Sequence, residues 1–550
     1  MATLSNYWHA LRYLKPVQLF GRLWFKFYRP RVDFAASPNV RELSGVWVQP
    51  ISKPQSMQAS DSFCFLNETH KLLPTEWDSS KLSKLWRYNL HYFDDLNAYG
   101  AVERNSWHLD LLAQWTRENP PATGTGWEPY PASLRIVNWI KWALSGSALP
   151  SECLESLAVQ VRWLSHRLEY HLLGNHLFSN AKALVFAGAF FSGSEANQWL
   201  NRGLTILARE IPEQILSDGG QFERSTMYHA LALEDILDLI NLARRFPEVF
   251  SSRQHIVGTW QNVAVKMEGW LKIMAHPDGE ISFFNDATMG IAPQPVALAA
   301  YGKRMGMSFP NLKHDRISNL SESGYLRVES DNAVIFVDVA PIGPDYLPGH
   351  AHADTLCFEC TLFNQRVLVN SGIDRYGNSP ERLRQRGTGA HNTVIIDGQN
   401  SSEVWGGFRV ARRAHPELLK LNDSGDCVTI VASHDGYRRL RGKNIHRRQW
   451  SIDTDGITVK DEITGSFISA EARFYLHPDV EIDTRLFDER RAKLRLPKGE
   501  RVDFIVEGGV IRLESTAWHP GFGVTMPNTC IVVTFLQSCV TTSISWQKAA

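Results

Sequence analysis

Two histidines separated by one residue, His350 and His352, have the spacing that most directly indicates chemistry in this chain. They lie in the run Gly349–Asp354, which reads Gly-His-Ala-His-Ala-Asp. If this run is extended, side chains alternate and both imidazoles project from one face. The two rings then share a metal ion, or one binds metal while the other contacts a substrate. The simpler alternative is a pair of histidines in a polar turn.

Two earlier segments also concentrate groups that packing does not require. Asn175 and His176 follow Gly174 and precede an alanine-rich stretch, a position that suits side chains lining the mouth of a cleft. The alternative is a capping asparagine beside an incidental histidine. Tyr228 ends a loop-like run, Asp218–His229, that is rich in glycine and polar residues. A phenol with an ordinary pKa of about 10 is a poor base without a nearby cation, so Tyr228 alone also fits a packing role.

Two further segments carry residue types that bind sugars and anions. The segment Gly124–Trp139 contains Trp127, Glu128, Tyr130 and Arg135, and aromatic faces with polar neighbours suit the mixed surfaces of sugars. An aromatic-rich edge of a core is the alternative. The run Arg382–Thr393 holds three arginines, among them Arg384 and Arg386, which suit carboxylate or sulfate groups through paired hydrogen bonds. A solvated charged loop is the alternative there.

Composition limits the classes of protein to which the chain can belong. Its 550 residues exceed what one hydrophobic core usually serves, so two domains are expected. The 58 Lys and Arg equal the 58 Asp and Glu, so no global field attracts nucleic acid or an anionic membrane. An anionic ligand must therefore meet a local cationic patch. The seven cysteines form an odd set without a paired framework, which predicts mostly reduced, buried thiols.

The N-terminal segment contains aromatic residues and scattered cations but no apolar run followed by a cleavage site. This predicts that no export signal is present and that the protein is cytoplasmic. No uncharged apolar stretch approaches 18 residues, so we expect no membrane span.

Hydrophobic periodicity divides the chain into a helical part and a β part. Apolar residues recur at three- and four-residue steps in the helical candidates 105–118, 133–146, 154–172, 181–191, 196–211, 225–243, 254–275 and 293–304. Serial helices of this kind fit a bundle, a solenoid or a toroid. From Tyr325 onward, short alternating runs between Gly, Asp and Asn turns are typical of an antiparallel sandwich. The polar stretch 305–324 is the predicted boundary.

The order of these features resembles the heparinase II/III family of polysaccharide lyases. The features are a helical first half, Asn175-His176, loop-borne Tyr228, His350-x-His352, a strand ending in Ser371-Gly372, and Ala390-His391-Asn392-Thr393. The resemblance covers residue 80 into the early 400s. The segments 127–139 and 400–406, the latter containing Trp405, are also similar to family members linked to bacterial surface-polysaccharide clusters.

The resemblance implies an incomplete (α/α) toroid followed by an antiparallel β-sandwich, with the active site between them. The implied division is an N-terminal extension packing on the toroid (1–80), the toroid (81–315) and the sandwich (322–550). It further implies that Asn175 and His176 neutralise a substrate uronate, that Tyr228 is catalytic and that His350 faces the sugar. The predicted substrate-contacting residues are Trp127, Glu128, Tyr130, Arg135, Glu223, Arg384, Arg386 and Trp405.

The resemblance also implies a metal ion, usually zinc, in the β domain. His352 and His391 match two of its ligands, and the third position, where the family often has aspartate, is Asn370. A neutral amide is a weaker zinc ligand than a carboxylate. The predicted cofactor is therefore Zn²⁺ at His352, Asn370 and His391, weakened by the amide.

The predicted function is β-elimination from an acidic, uronate-containing polysaccharide, the expected partner, and a homodimer is left open. One alternative is a glycoside hydrolase on the same toroid, for which Glu128, Glu169, Asp218 and Glu223 are candidate carboxylates. Another is a non-catalytic glycan-binding or assembly protein of polysaccharide biosynthesis, which Asn370 keeps open. Against the cytoplasmic prediction, the resemblance implies a periplasmic or external location.

Overall fold

The computed structural model describes residues 4–310 and 315–547. Three stretches lie outside the described residues: 1–3 of the predicted extension, 311–314 of the predicted boundary and 548–550 of the predicted sandwich. Two helices, α1 (Leu4–Leu11) and α2 (Pro16–Phe27), open the described chain. An extended segment follows and leads to a small three-stranded sheet of β1 (Met57–Ala59), β2 (Ser62–Phe65) and β3 (Glu68–Lys71).

The extended segment binds the helical region that follows it. The Arg41 guanidinium donates to the carbonyl oxygens of Ala189 (2.9 Å) and Phe191 (2.9 Å). The backbone N–H of Val48 donates to Asn241 Oδ1 at 3.0 Å. The Arg41 bonds satisfy carbonyl groups at the end of a helix, and the Asn241 bond satisfies a backbone N–H of the extended segment.

Ten helices form the first large region, the incomplete (α/α) toroid: α3 (Lys84–Tyr92), α4 (Asn105–Glu118), α5 (Pro129–Leu144), α6 (Ser151–His166), α7 (Gly174–Phe190), α8 (Ser194–Gln214), α9 (Thr226–Arg245), α10 (Pro247–Phe250), α11 (Gln254–Ile273) and α12 (Pro295–Arg304). The helix predicted over 154–172 ends earlier, at His166. The chain turns there because the N–H of Glu169 donates to Asn180 Oδ1 at 2.8 Å. Within the described residues, no helix combines the length and apolar character needed to cross a bilayer.

Strands dominate from Ile317 onward. A five-stranded sheet contains β4 (Ile317–Leu320), β5 (Tyr325–Glu329), β6 (Ala333–Asp338), β7 (Phe358–Leu362) and β8 (Gln365–Leu368), in that order. After the short helix α13 (Pro380–Arg386) come β9 (Val394–Ile396) and a hairpin of β10 (Val404–Trp405) and β11 (Arg409–Val410). The remaining strands are β12 (Pro416–Asp423), β13 (Val428–His434), β14 (Ile445–Ile452), β15 (Gly456–Thr464), β16 (Ala470–Tyr475), β17 (Glu481–Ile482), β18 (Arg491–Arg495), β19 (Arg501–Glu507), β20 (Gly509–Trp518), β21 (Met526–Phe535) and β22 (Cys539–Gln547).

These strands build the two layers of an antiparallel sandwich. One layer is an eight-stranded sheet in the order β12-β13-β14-β15-β22-β19-β18-β17. The five-stranded sheet and a four-stranded sheet, β20-β21-β16-β9, are joined through the bridge between Leu368 and Leu476. Burial alternates along β15, so one of its faces is in the core between the layers. The predicted fold class, toroid followed by sandwich, is confirmed.

Strands β12 and β18 expose most of their residues. Strand β18 reads Arg-Ala-Lys-Leu-Arg and buries only Ala492 and Leu494. Strand β12, at the edge of its sheet, buries none of its eight residues. Charged edge strands are a common way to avoid pairing with other chains. The seven cysteines are all free and four of them are buried, which confirms the prediction of reduced thiols.

Helix α7, whose first turn carries Asn175 and His176, is held closely against α8 by two glycines. A Cβ atom on Gly188 would lie 2.5 Å from the backbone nitrogen of Leu200, and one on Gly203 would lie 2.7 Å from the carbonyl oxygen of Ala181. Backbone atoms cannot move aside as a side-chain end can. The absence of a side chain at both positions therefore sets the distance between the two helices.

We expect Gly188→Ala to lower the free energy of unfolding by about 1–3 kcal/mol, because the new methyl group overpacks the α7–α8 crossing. Gly258→Ala is the matched control, since a Cβ there meets nothing within 4 Å in helix α11. That substitution should raise stability by up to about 1 kcal/mol through helix propensity. Urea unfolding followed by circular dichroism measures both. Equal effects of the two substitutions would contradict this account of the crossing.

Candidate active site

The His350–His352 run is a loop and not the strand that alternation would require. Its backbone groups bond to loops and side chains: His350 O accepts from the N–H of Asp286 (2.9 Å), and the N–H of His352 donates to Asn285 Oδ1 (3.0 Å). The two imidazoles consequently separate. The His350 side chain is 14% exposed, whereas that of His352 is 1% exposed. The structure thus favours separate roles for the two rings.

His350 and Tyr228 form the centre of the exposed site. Their rings stack with centroids 3.8 Å apart and planes 16° from parallel. Ser225 caps the first turn of α9 by accepting from the N–H of Tyr228 at 3.1 Å, which places the tyrosine at the helix start. His350 Nδ1 contacts Glu223 Oε2 at 2.6 Å. A carboxylate on Nδ1 fixes the tautomer and leaves Nε2 as the nitrogen available for an acid–base step.

A second tyrosine, Tyr376, completes this centre and was missed by sequence reasoning. Its hydroxyl lies 2.8 Å from that of Tyr228. Burial raises the pKa of the Tyr228 phenol well above its usual value, and Tyr376 and Asp286 raise it further. Tyr228 therefore carries its phenolic proton at rest. Only the loop position of Tyr376 after Ser371-Gly372 could have indicated its role.

Asn175 and His176 lie in the first turn of α7, and this helix begins beside the Glu223 carboxylate. Leu173 (φ 63°, ψ −156°) precedes the helix in a conformation that only glycine adopts readily, which indicates strain at the helix start. A Cβ on Gly174 would lie 3.6 Å from Glu223 Oε1, so the helix start adjoins the carboxylate that holds His350. The site is therefore assembled from both domains.

His176 is the cationic group of this site. Its Nδ1 contacts Glu169 Oε1 at 3.1 Å, and its ring packs on Tyr130 with centroids 4.5 Å apart. Burial lowers the pKa of His176, but the charge and hydrogen bond of Glu169 outweigh burial and raise the pKa overall. An imidazolium beside the amide of Asn175 at a helix N-terminus suits a bound carboxylate.

Behind the exposed site lies a buried group that could hold a metal ion. Ligand atoms of His352, Asp354 and His391 all lie within 4.8 Å of one another. His352 Nδ1 and His391 Nε2 face each other at 3.2 Å. Burial lowers the pKa of both histidines, so both rings are neutral, which is the form that binds metal. Two imidazoles and a carboxylate are a donor set that suits zinc.

Asn370 has a different position from the one predicted for a ligand. Its Oδ1 lies 3.2 Å from His391 Nδ1, the nitrogen on the far side of the ring from His352. It therefore orients His391, and the carboxylate that lies with the two histidines belongs to Asp354. The sequence analysis did not predict Asp354 as a ligand, although it lies two residues after His352, because the family pattern has its third ligand at the later position of Asn370.

Asp286 organises the group and was also missed. Its Oδ1 lies 2.8 Å from His352 Nε2, and both of its carboxylate oxygens accept from the buried guanidinium of Arg382. Arg382 and the other charges around it outweigh burial and hold the pKa of Asp286 well below its usual range. Nothing in the local sequence around Asp286 marks this role.

The other predicted contact residues divide between the site and the core. Glu128 accepts from Tyr88 and pairs with Lys84 (2.9 Å), close to the His176 side of the site. Trp127 is buried and donates to Asn119 O (3.1 Å), while one edge of it lines a cavity of about 370 Å³ beneath α2. Trp405 packs edge-on against Tyr7 of α1, with centroids 4.8 Å apart. The half-exposed Arg384 pairs with Glu381 (2.7 Å).

Two arginines predicted to bind substrate are instead structural. Arg135 is fully buried, stacks on Trp115 and donates to Gln160, His91 O and Gly126 O. Arg386 is fully buried and donates to the carbonyl oxygens of Ala351 and Gly406. Their donors are used within the protein, so the prediction is wrong for both. Arg386 holds the loop that carries His350.

The helical toroid followed by an antiparallel sandwich defines a two-domain architecture, and sequence comparisons give the family. Residues 74–314 match the family description Heparinase II/III N-terminus, and residues 313–547 match Heparinase II/III-like, C-terminal. The chain belongs to the heparinase II/III family.

Individual relatives agree with this assignment. The chain is 26% identical over 337 residues to a heparin-sulfate lyase of Bacteroides stercoris, an alignment that covers 57% of this chain and 47% of the relative. It is 32% identical over 397 residues to a heparin-sulfate lyase of Bacteroides thetaiotaomicron, covering 62% and 53%. The crystal structure of a heparinase III has the same fold, with a TM-score of 0.70, 19% identity and coverage of 86% of this chain and 79% of that one. The chain spans about half the length of the curated relatives it matches.

We expect Glu169→Gln to lower the pKa of His176, because the amide keeps the shape of the side chain and removes its charge. In the native protein the pKa of His176 is raised, so the protonated imidazole adds to the free energy of unfolding. This contribution is complete below the unfolded-state pKa of about 6.5. That stabilisation is lost as pH rises through the folded pKa. NMR titration of ¹⁵N-labelled histidine should show the shift to lower pH. Glu128→Gln is the control, because Glu128 raises the pKa of His176 less than Glu169 does. An equal pKa shift in both variants would contradict the role of Glu169.

Proposed function

We propose that this protein is a polysaccharide lyase that cleaves a uronate-containing acidic glycan by β-elimination. The observation that carries the proposal is the contact of Tyr228 with both His350 and Tyr376, beside the carboxylate of Glu223 that adjoins the Asn175–His176 helix start. This arrangement supports an acid–base pair next to a group that binds a carboxylate. The heparin-sulfate lyases among the relatives support a sulfated or unsulfated glycosaminoglycan as the substrate class.

The chemistry follows from the groups in the cleft. The proton α to a carboxylate becomes acidic only when the negative charge of that carboxylate is neutralised. His176 as imidazolium and Asn175 as amide donor supply this neutralisation and stabilise the enolate-like intermediate. Elimination then needs a base for the α proton and an acid for the leaving oxygen.

The resting proton positions assign these two roles. His350 has its Nδ1 held by Glu223, so Nε2 is the base that takes the α proton. The Tyr228 phenol carries its proton at neutral pH and its ring stacks on that of His350, so we assign its hydroxyl the role of protonating the leaving glycosidic oxygen. Tyr376 then hydrogen-bonds the phenolate that remains, through the 2.8 Å contact between the two hydroxyls. Both groups return to their starting states by proton exchange with solvent.

The hydrolase alternative is not favoured, because the candidate carboxylates already bind protein groups. Glu169 contacts His176 and Asn180, Glu223 contacts His350, and Asp218 accepts from Ser323. Glu169 and Glu223 are nearly inaccessible. Hydrolysis needs two carboxyl groups facing the scissile bond, and these side chains instead orient the histidines or hold loops.

We expect Tyr228→Phe to lower kcat by about 10²–10⁴-fold, because the variant lacks the proton donor. Tyr376→Phe should lower kcat by about tenfold, the effect of one hydrogen bond. Tyr437→Phe is the matched control, since its buried hydroxyl bonds Val394 O in the sandwich. The assay is the rise in ultraviolet absorbance of the unsaturated product on a panel of sulfated and unsulfated uronate polymers. New reducing ends without absorbance would contradict elimination.

We further propose that the metal is zinc and that His352, Asp354 and His391 hold it. The ion would supply positive charge behind the loop of His350 and fix the geometry of that loop. The donor set supports this: two neutral imidazoles and one carboxylate lie within 4.8 Å of one another. Asn370, on the opposite nitrogen of His391, acts as an orienting group.

We expect the purified protein to retain one zinc ion by mass spectrometry and to lose it in Asp354→Asn. Asn370→Ala should retain the ion with an affinity lowered by about 10–100-fold, the usual effect of removing a group that orients a ligand. Thermal unfolding with and without a chelator gives a second readout that does not depend on activity. Loss of the ion in Asn370→Ala but not in Asp354→Asn would show that Asn370 is the ligand after all.

A further inference from the structure

The two N-terminal helices, α1 and α2, form a strap across the outside of the protein. Their inner side is anchored on both domains. Gln18 donates to Tyr346 O (3.1 Å) next to the His350 loop, and Phe25 packs on His171 (4.1 Å) next to Asn175. A Cβ on Gly21 would lie 3.1 Å from the Cβ of His171, so the helix is in close contact there. The strap therefore has a fixed orientation and a defined outer side.

The outer side of the strap is apolar along both helices. In α2, Phe20, Leu23, Trp24 and Phe27 have the i, i+3, i+4, i+7 spacing of one helix face. Phe20, Trp24 and Phe27 are 73%, 63% and 76% exposed. In α1, Leu4, Trp8 and Leu11 repeat the spacing and are exposed as well. Continuous exposure of large apolar side chains on this scale marks an interaction surface.

Charge distinguishes among the possible partners. Residues 1–32 contain six Lys and Arg (Arg12, Lys15, Arg22, Lys26, Arg29, Arg31) and no Asp or Glu. The remaining residues hold 52 Lys and Arg against 58 Asp and Glu, so the neutral total conceals a basic strap on an acidic body. Lys15 pairs with Glu213, while Arg22, Lys26 and Arg29 are exposed along the apolar stripe.

We propose that the strap docks on an anionic lipid surface. Helices that lie in a membrane interface combine Trp, Phe and Leu on one face with flanking Lys and Arg. Each cation near an anionic leaflet contributes about 1 kcal/mol. A second copy of the chain would bring two basic straps together in a symmetric contact. A soluble polyanion would neutralise the cations and leave Leu4, Leu11 and Leu23 exposed to water.

This docking has a consequence for the candidate site. The strap packs on the segments that lead to His350 and to Asn175–His176. When the strap of this protein is bound to lipid, the candidate site around His350 therefore lies beside the membrane surface. The proposal does not depend on which reaction the cleft performs.

The test uses the full chain and vesicles of phosphatidylglycerol and phosphatidylcholine at equal parts, compared with phosphatidylcholine alone. We expect co-sedimentation with the anionic vesicles to exceed that with neutral vesicles by at least about tenfold, and to fall with salt. Phe20→Ser/Trp24→Ser and, separately, Arg22→Glu/Lys26→Glu should each lower binding by about tenfold or more.

Matched controls carry the same chemical changes elsewhere on the surface. Ile468→Ser/Leu536→Ser alters two exposed apolar residues of the sandwich, and Lys81→Glu/Lys303→Glu reverses two exposed lysines. Both should bind vesicles as the native chain does. Equal loss in control and strap variants, or equal binding to both vesicle types, would overturn the proposal.

Hydrogen exchange of the native chain keeps the test independent of how the variants fold. Anionic vesicles should protect residues 4–31 from exchange, and neutral vesicles should not. Two other results would assign the strap to a different occupant and overturn the proposal. One is a concentration-dependent dimer that Phe20→Ser/Trp24→Ser dissociates. The other is equal protection of residues 4–31 by soluble heparin without lipid.

Discussion

The buried ion pair between Asp286 and Arg382 is the interaction on which the rest of the site depends. The Asp286 carboxylate accepts hydrogen bonds from Arg382 and from His352. The backbone N–H of Asp286 donates to His350 O, and its backbone carbonyl accepts from Ser225, which caps the helix of Tyr228. One residue thus fixes the loop of His350, the helix start of Tyr228 and the buried ring of His352 together. Burying two charges is costly unless every donor and acceptor has a partner. Here the partners of the Asp286 carboxylate are His352 and Arg382. Moving either side chain away would therefore leave a buried charge without its partner.

The position of the site between two domains explains where the backbone is strained. Leu173, Arg224 and Asn285 have φ values of 63°, 60° and 57°, and each stands next to a functional segment. Arg224 follows Glu223, and Asn285 precedes Asp286. Each such conformation costs about 1–3 kcal/mol, which the surrounding contacts must offset. The Arg224 carbonyl, for example, accepts from Asn285 and Tyr325, which join the helical region to the sandwich. These hydrogen bonds therefore hold the strained loops of both regions in fixed positions relative to each other.

The sandwich supports the buried histidines through a second set of the same chemistry. His446 contacts His434 (3.2 Å) and Asp461 (2.6 Å), and Arg448 pairs with Asp461, which repeats the His391–His352–Asp286–Arg382 arrangement. Arg448 also donates to Leu356 O and Asn392 O. Leu356 lies two residues after Asp354, and Asn392 directly follows His391. The strands of the eight-stranded layer therefore position the loops of Asp354 and His391 through a charged contact in an otherwise apolar core.

The sequence by itself determined the order of helices and strands and the residues able to perform chemistry. Both are local properties, since periodicity reports a buried face and residue type reports a functional group. Helix α4 was found in this way, whereas the roles of Tyr228, His350 and His176 are predictions that the family resemblance implies. Only the tertiary structure revealed Asp286, Asp354 and Tyr376, and only it showed that Arg135 and Arg386 are core residues. Whether a charge meets a substrate or a buried carbonyl depends on contacts between distant segments, and those contacts have no local pattern to read.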